Sequence, residues 1–157
     1  MRIFPASFGE VFIPAAVAAE LADVAAPAAV RRWIAQPAGW IRVCPISSRP
    51  DAELEAALDA GEREAIQLAI ERKADVLIMD EWKGRSVARS RGIPLNGALG
   101  LLGDAYQRGL IDDPLRILAV MRRHGFRVND RLVERFEVAA GPICAVTSTA
   151  KRFIVFR

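Results

Sequence analysis

Short runs of β-branched and apolar residues recur along the chain, each separated from the next by a segment of helical character. This alternation restricts the fold more than any other feature. Glu10-Val11-Phe12-Ile13, Trp40 to Ile46, Asp75 to Met79 and Ile93-Pro94-Leu95 read as strands. Between them, residues 14–26 place Val17, Leu21 and Val24 on one helical face, and a second helix over 26–36 stops at Pro37. Ser48 or Asp51 caps a short helix, and Leu58 to Lys73 form a longer one. Residues 84–92 are a helix closed by Gly92, and 97–109 a helix opened by Asn96 or Gly97 and closed by Gly109. Asp112 or Asp113 caps the next, with Pro114 in its first turn and Gly125 as its stop, and 129–139 form a last helix after the extended residues 126–128. Strands that alternate with helices predict an α/β fold, a central parallel sheet with helices on both faces.

At 157 residues the chain has room for one domain with a real core, and 52% hydrophobic against 26% charged residues excludes a disordered chain. No apolar run approaches the roughly 18 residues of a membrane helix. The opening MRIFPASFGEVFIP is interrupted by Pro5, Ser7, Gly9 and Glu10, unlike a secretory signal, so no membrane is expected and the expected compartment is the cytoplasm. Cys44 and Cys144 stand far apart and His124 is the one histidine, which argues against zinc and gives no disulfide framework. His124, in MRRHGF near a helix end, suits a capping role. From about residue 139 the composition changes. The tail 139–157 is apolar and β-branched with a basic end, and an edge strand is the most it suggests.

The chemistry lies in the carboxylates. Asp80 follows the apolar run Val76 to Met79, at the carboxyl end of a strand, where open parallel sheets place their ligands; a turn or cap residue is the competing reading. Asp59 and Glu62 have the spacing of a capping box. Glu62 also shares a helical face with Ile66, Ala69 and Ile70, which turns it toward the core, whereas Glu64 falls with Gln67 and Glu71 on a face expected to be solvated. Glu20 sits at the margin of the Val17-Leu21-Val24 face. Carboxylates brought together in such places repel and raise one another's pKa, a conflict that a hard divalent cation, Mg²⁺ or Mn²⁺, resolves. Lys83, Arg85, Arg89 and Arg91 follow Asp80 directly, and Arg122, Arg123 and Arg127 form a second basic group; such groups grip phosphates or form solvated helix faces.

The order VFIPAAVAAEL, LDAGEREAIQLA, ADVLIMDEWKGRSVARSRGIPLNGALGLL, RRHGFRVNDRLVERF resembles a PIN-like branch of predicted nucleic-acid-binding proteins over residues 8 to 137, most specifically over Leu58 to Leu102. The resemblance implies a three-layer α/β/α nuclease fold over 1–138, with 139–157 as an appended tail. It implies acids gathered around Mg²⁺ or Mn²⁺ at one end of the sheet, with Glu20, Glu62 and Asp80 as the ligands and catalytic acids. Glu81 would assist through water, and Lys83, Arg85 and Arg89 would lie along the nucleic acid. Its partners would be an RNA substrate, a small antitoxin protein of the toxin–antitoxin type, and a second copy in a homodimer.

Two departures stand out. Relatives begin with a strand that ends in aspartate, a central strand carrying a central ligand, whereas MRIFPASFGEVFIP matches the end of the first helix and the second strand, so the fold is expected to be N-terminally incomplete. Ala98 stands where relatives often carry threonine. A sheet without its central strand has two unpaired edges, and one expectation is that the C-terminal FIVFR enters the gap. The functional expectation is a metal-dependent ribonuclease, with a non-catalytic RNA- or protein-binding module as the alternative. An oxidoreductase is disfavoured, because no Gly-x-Gly-x-x-Gly follows a strand.

Overall fold

A computed structural model describes residues 9–128, 133 and 152–155. They divide into two compact units, one of residues 9–96 with 152–155 and the other of residues 97–128 with Val133. The helix expected over 129–139, apart from Val133, and Cys144 lie outside the described residues.

The first unit holds β1 (Glu10–Pro14), α1 (Ala15–Ala22), α2 (Ala28–Ala35), β2 (Ile41–Cys44), α3 (Ala52–Ala57), α4 (Ala60–Arg72), β3 (Val76–Ile78), α5 (Trp82–Ser90), β4 (Leu95–Asn96) and β5 (Arg152–Val155). The strands form one sheet in the order β2-β1-β5-β3-β4. Every pairing is parallel, so all five carboxyl ends share one edge. The fold is the α/β class that the alternation predicts.

The C-terminal strand is central, not at the edge. β5 pairs Val11 with Phe153 and Phe12 with Ile154 on one side, and Leu77 with Ile154 and Ile78 with Val155 on the other. Burial of its neighbours accounts for this. β1 is buried from Val11 to Pro14 and β3 throughout, so both need partners on each side, whereas β2 and β4 are partly exposed, as edge strands are. The core packs Val11, Ile13, Val17, Ile66, Leu68, Leu77 and Met79 between sheet and helices.

Local signals set the helix ends. Asp59 accepts from the Glu62 N–H at 2.9 Å while Glu62 Oε2 accepts from the Asp59 N–H at 3.3 Å, which is the capping box that the sequence suggests. Asp51 caps α3 by accepting from the Leu54 N–H. Gly92, closing α5, adopts φ +70°, a conformation that strains any residue with a Cβ.

Glu64 differs from expectation: half-buried, its Oε2 accepts from the Ala16 N–H at 2.8 Å and serves as the missing cap of α1, which begins after Pro14 without a side-chain cap of its own. Its neighbours on that face are also tied down. Glu71 accepts from the Ser47 and Ser48 N–H groups, the Ser48 hydroxyl and Gln67 Nε2. Burial pushes the Glu71 carboxyl up, but these donors outweigh it and hold it at about 2. Ile70, expected on the core face, is 43% exposed.

The second unit contains α6 (Ala98–Gln107) and α7 (Pro114–Arg123). Leu102 and Leu118 form its core with Leu99, Ile111, Ile117, Phe126, Val128 and Val133. Asp113 caps α7 by accepting from the Arg116 N–H, with Pro114 in the first turn. His124 is the C-cap, its N–H donating back to carbonyls of the last turn. Among the described residues no helix is long and apolar enough to cross a membrane.

Candidate active site

β3 delivers Asp80 to the carboxyl edge. Val76 to Met79 are buried, Asp80 and Glu81 are exposed, and α5 begins at Trp82. The first turn of α4 brings Glu62 close by. Glu62 is the one charged side chain buried among the described residues, 4% exposed. Its Oε2 is used in the capping box, while Oε1 has no hydrogen-bond partner.

Gly84 closes the other side of this carboxylate. A Cβ at position 84 would lie 2.9 Å from Glu62 Oε1 and would collide with Met79 Sδ, so the first turn of α5 approaches Glu62 only because residue 84 is glycine. Burial raises the Glu62 carboxyl above the usual carboxylate range, and the nearby charges of Asp59 and Glu81 push the same way, against the Asp59 N–H and Lys83. An ionisable oxygen buried without a donor lacks the partner that such groups ordinarily have, which marks Glu62 as a candidate functional residue.

The structure places the charges of Glu81 and Lys83 near enough to act on Glu62, with Asp80 adjacent in sequence to Glu81. Glu20 is exposed in the last turn of α1. Among the described residues no three His, Cys, Asp or Glu side chains gather closely enough to hold a metal ion. Gly84 and Met79 shape the site without having been singled out in the sequence. The signal for Gly84 was there, a glycine in the first turn of a helix four residues after the strand-end acid.

The basic run divides in two. Lys83 and Arg89 are exposed. Arg85 points inward, its Nη1 donating to the Met79 carbonyl at 2.6 Å and the Asn96 carbonyl at 3.0 Å, which joins the carboxyl ends of β3 and β4. Arg91 pairs with Asp51 and Glu53 at the start of α3. Arg85→Ala is therefore expected to cost about 1–3 kcal/mol, the value of hydrogen bonds from a charged donor to half-buried carbonyls. Urea denaturation checks this, and a midpoint unchanged from wild type would contradict the role given to Arg85.

A family model described as a PIN domain matches residues 1–141. The chain belongs to the PIN-domain family. No curated protein and no solved structure matches it. PIN domains are a nuclease-type family whose members generally depend on divalent metal ions. In this PIN domain the carboxyl edge of the sheet carries Asp80 and Glu81, and the buried Glu62 of α4 approaches it beside Gly84.

Proposed function

We propose that this PIN domain hydrolyses phosphodiester bonds in RNA with Mg²⁺ or Mn²⁺ held at the carboxyl edge of the sheet. The observation that carries the reading is the unpaired, buried Oε1 of Glu62 beside Gly84. Glu62 is the anchoring ligand, Asp80 the second, Glu81 acts through water, and Glu20 is drawn in from α1. A divalent ion held by these residues would lower the pKa of a water for attack on phosphorus, the P–O bond to the leaving ribose oxygen breaking as that oxygen takes up a proton. Lys83 and Arg89 hold the phosphodiester backbone, while Arg85 keeps the ends of β3 and β4 in register and so positions Asp80. A small antitoxin protein and a homodimeric state belong to the same reading.

Cleavage of an end-labelled RNA in Mn²⁺ tests it. Wild type should cut, Asp80→Ala and Glu62→Gln should lose at least about 100-fold in rate, as removal of a group that stabilises transition-state charge does, and EDTA should abolish the reaction. Cutting unaffected by both substitutions would overturn the assignment.

A second reading, a PIN domain that binds RNA without cutting, is favoured by a different observation. The central strand β5, Arg152-Phe153-Ile154-Val155, contributes no acid, and among the described residues no three acids gather around Glu62. RNA binding that survives EDTA, with no cleavage under any divalent ion, would favour this module.

A further inference from the structure

Trp82 is the first residue of α5 and is 73% exposed. A lone exposed apolar residue needs no explanation, but the surroundings of this one are specific. It follows Asp80 and Glu81, and it stands two residues before Gly84, beside which the unpaired Oε1 of Glu62 lies. Gly84 and Ala88 form the buried face of α5. The opposite face carries Trp82, Ser86 and Arg89 at the i, i+4, i+7 spacing that aligns side chains, with Lys83 beside them, all exposed. The outer face of α5 therefore starts at the candidate site with a bare indole and continues as a hydroxyl and two cations. The other cations of the run, Arg85 and Arg91, are spent on carbonyls and carboxylates.

A bare ring flanked by cations matches an unpaired nucleotide. Every base has a face to stack on the indole, and the two cations meet the phosphates on either side. A base within a duplex has both faces covered and cannot use the ring. A protein partner would also cover an indole, but it gives no reason for two exposed cations beside it. We propose that Trp82 stacks on an unpaired base and, with Lys83 and Arg89, positions a single-stranded segment against the Asp80 edge. This rests on the reading of the protein as one that binds RNA, whether or not it cuts.

The test is binding in EDTA, where no hydrolysis occurs, of a fluorescent oligoadenylate and of a duplex hairpin. Trp82→Ala should weaken the single strand by roughly 5- to 100-fold, the effect of removing one base–aromatic stack. Trp82→Phe should retain most of the affinity. Trp33→Ala, which removes a partly exposed indole in α2, should change nothing. In a Trp33→Phe/Trp40→Phe background, the emission of Trp82 should be quenched by oligoadenylate and not by the hairpin. If Trp82→Ala binds as wild type while Lys83→Ala and Arg89→Ala lose affinity, the stacking assignment is overturned and the RNA-binding reading stands. If wild type binds neither ligand, both fail. A dimer that Trp82→Ala dissociates, with RNA affinity unchanged, would assign the ring to a protein interface instead and overturn the proposal.

Discussion

Ile154→Pro is expected to abolish the cooperative unfolding transition of the sheet. Ile154 is in register with Phe12 on one side and Leu77 on the other, in the middle of the central strand. Proline there removes a ladder donor and forces its ring against a neighbouring strand, which sheets tolerate only at edges. At about 1 kcal/mol net for each hydrogen bond, losing β5 from both neighbours removes several kcal/mol. That is a large part of the roughly 5–15 kcal/mol that holds a domain together. It would also leave the buried strands β1 and β3 with unpaired edges, so aggregation is expected alongside unfolding. Hydrogen exchange offers the same test without a substitution: the amides of Phe153 to Val155 should be as protected as those of Val11 to Ile13. Rapid exchange at 153–155 combined with slow exchange in β1 would contradict the central position of β5.

The second large effect concerns Glu62 and has an unusual sign. Its carboxyl is raised above the ordinary value of 4.5, chiefly by burial. The folded state therefore holds its proton more tightly than the unfolded chain, and this contribution to stability is full below the ordinary value and lost as pH rises through the raised one. Glu62→Gln removes the buried charge but keeps an acceptor for the Asp59 N–H. In the absence of metal it is expected to raise stability at pH 7 on the order of 1 kcal/mol, the difference between an unpaired charge and an unpaired amide. The gain should vanish below about pH 4. Asp51 and Glu71 act in the opposite direction. Both carboxyls are held at about 2, the first mainly by Arg91 and the second by its donors against burial, so the stability that they contribute is present at neutral pH and lost as pH falls toward 2. Wild type should thus lose stability on the acid side through Asp51 and Glu71, while Glu62 and Asp104, both raised by burial, should oppose it on the neutral side. Denaturant melts of wild type and Glu62→Gln across pH 3 to 8 would show this. A wild type more stable than Glu62→Gln at pH 7 in EDTA would mean that Oε1 is satisfied in solution.

The parts of this fold that are legible in the sequence are those set by neighbours along the chain. Asp59 and Glu62 are three residues apart and form their box; Pro114 and the helix-closing glycines mark ends that the structure also shows. The misreadings occur where a distant element completes a local need. Glu64 looked solvated because helical phase cannot show that α1, 48 residues earlier, starts without a cap. Arg85 and Arg91 looked like part of one basic patch because adjacency does not reveal which cations reach the carbonyls of Met79 and Asn96 or the carboxylates of α3. Composition alone makes the tail at most an edge strand, whereas the expectation that FIVFR enters the gap in the sheet matches the structure, because strand order is decided by which edges need covering and the two neediest, those of β1 and β3, flank β5. The candidate site was half visible. Strand position selected Asp80 and helical phase selected Glu62, but the approach of Gly84 that leaves Oε1 without a donor is a property of the packing of α4 on α5.

Mn²⁺ binding measured by isothermal titration calorimetry, on wild type and on Glu62→Gln at pH 7, tests the central claim most directly. Binding to wild type that is lost in Glu62→Gln, with the variant folded and at least as stable in EDTA, is the predicted result. Equal Mn²⁺ affinity in the two proteins, or no binding to wild type, would contradict a cation site at the buried carboxylate.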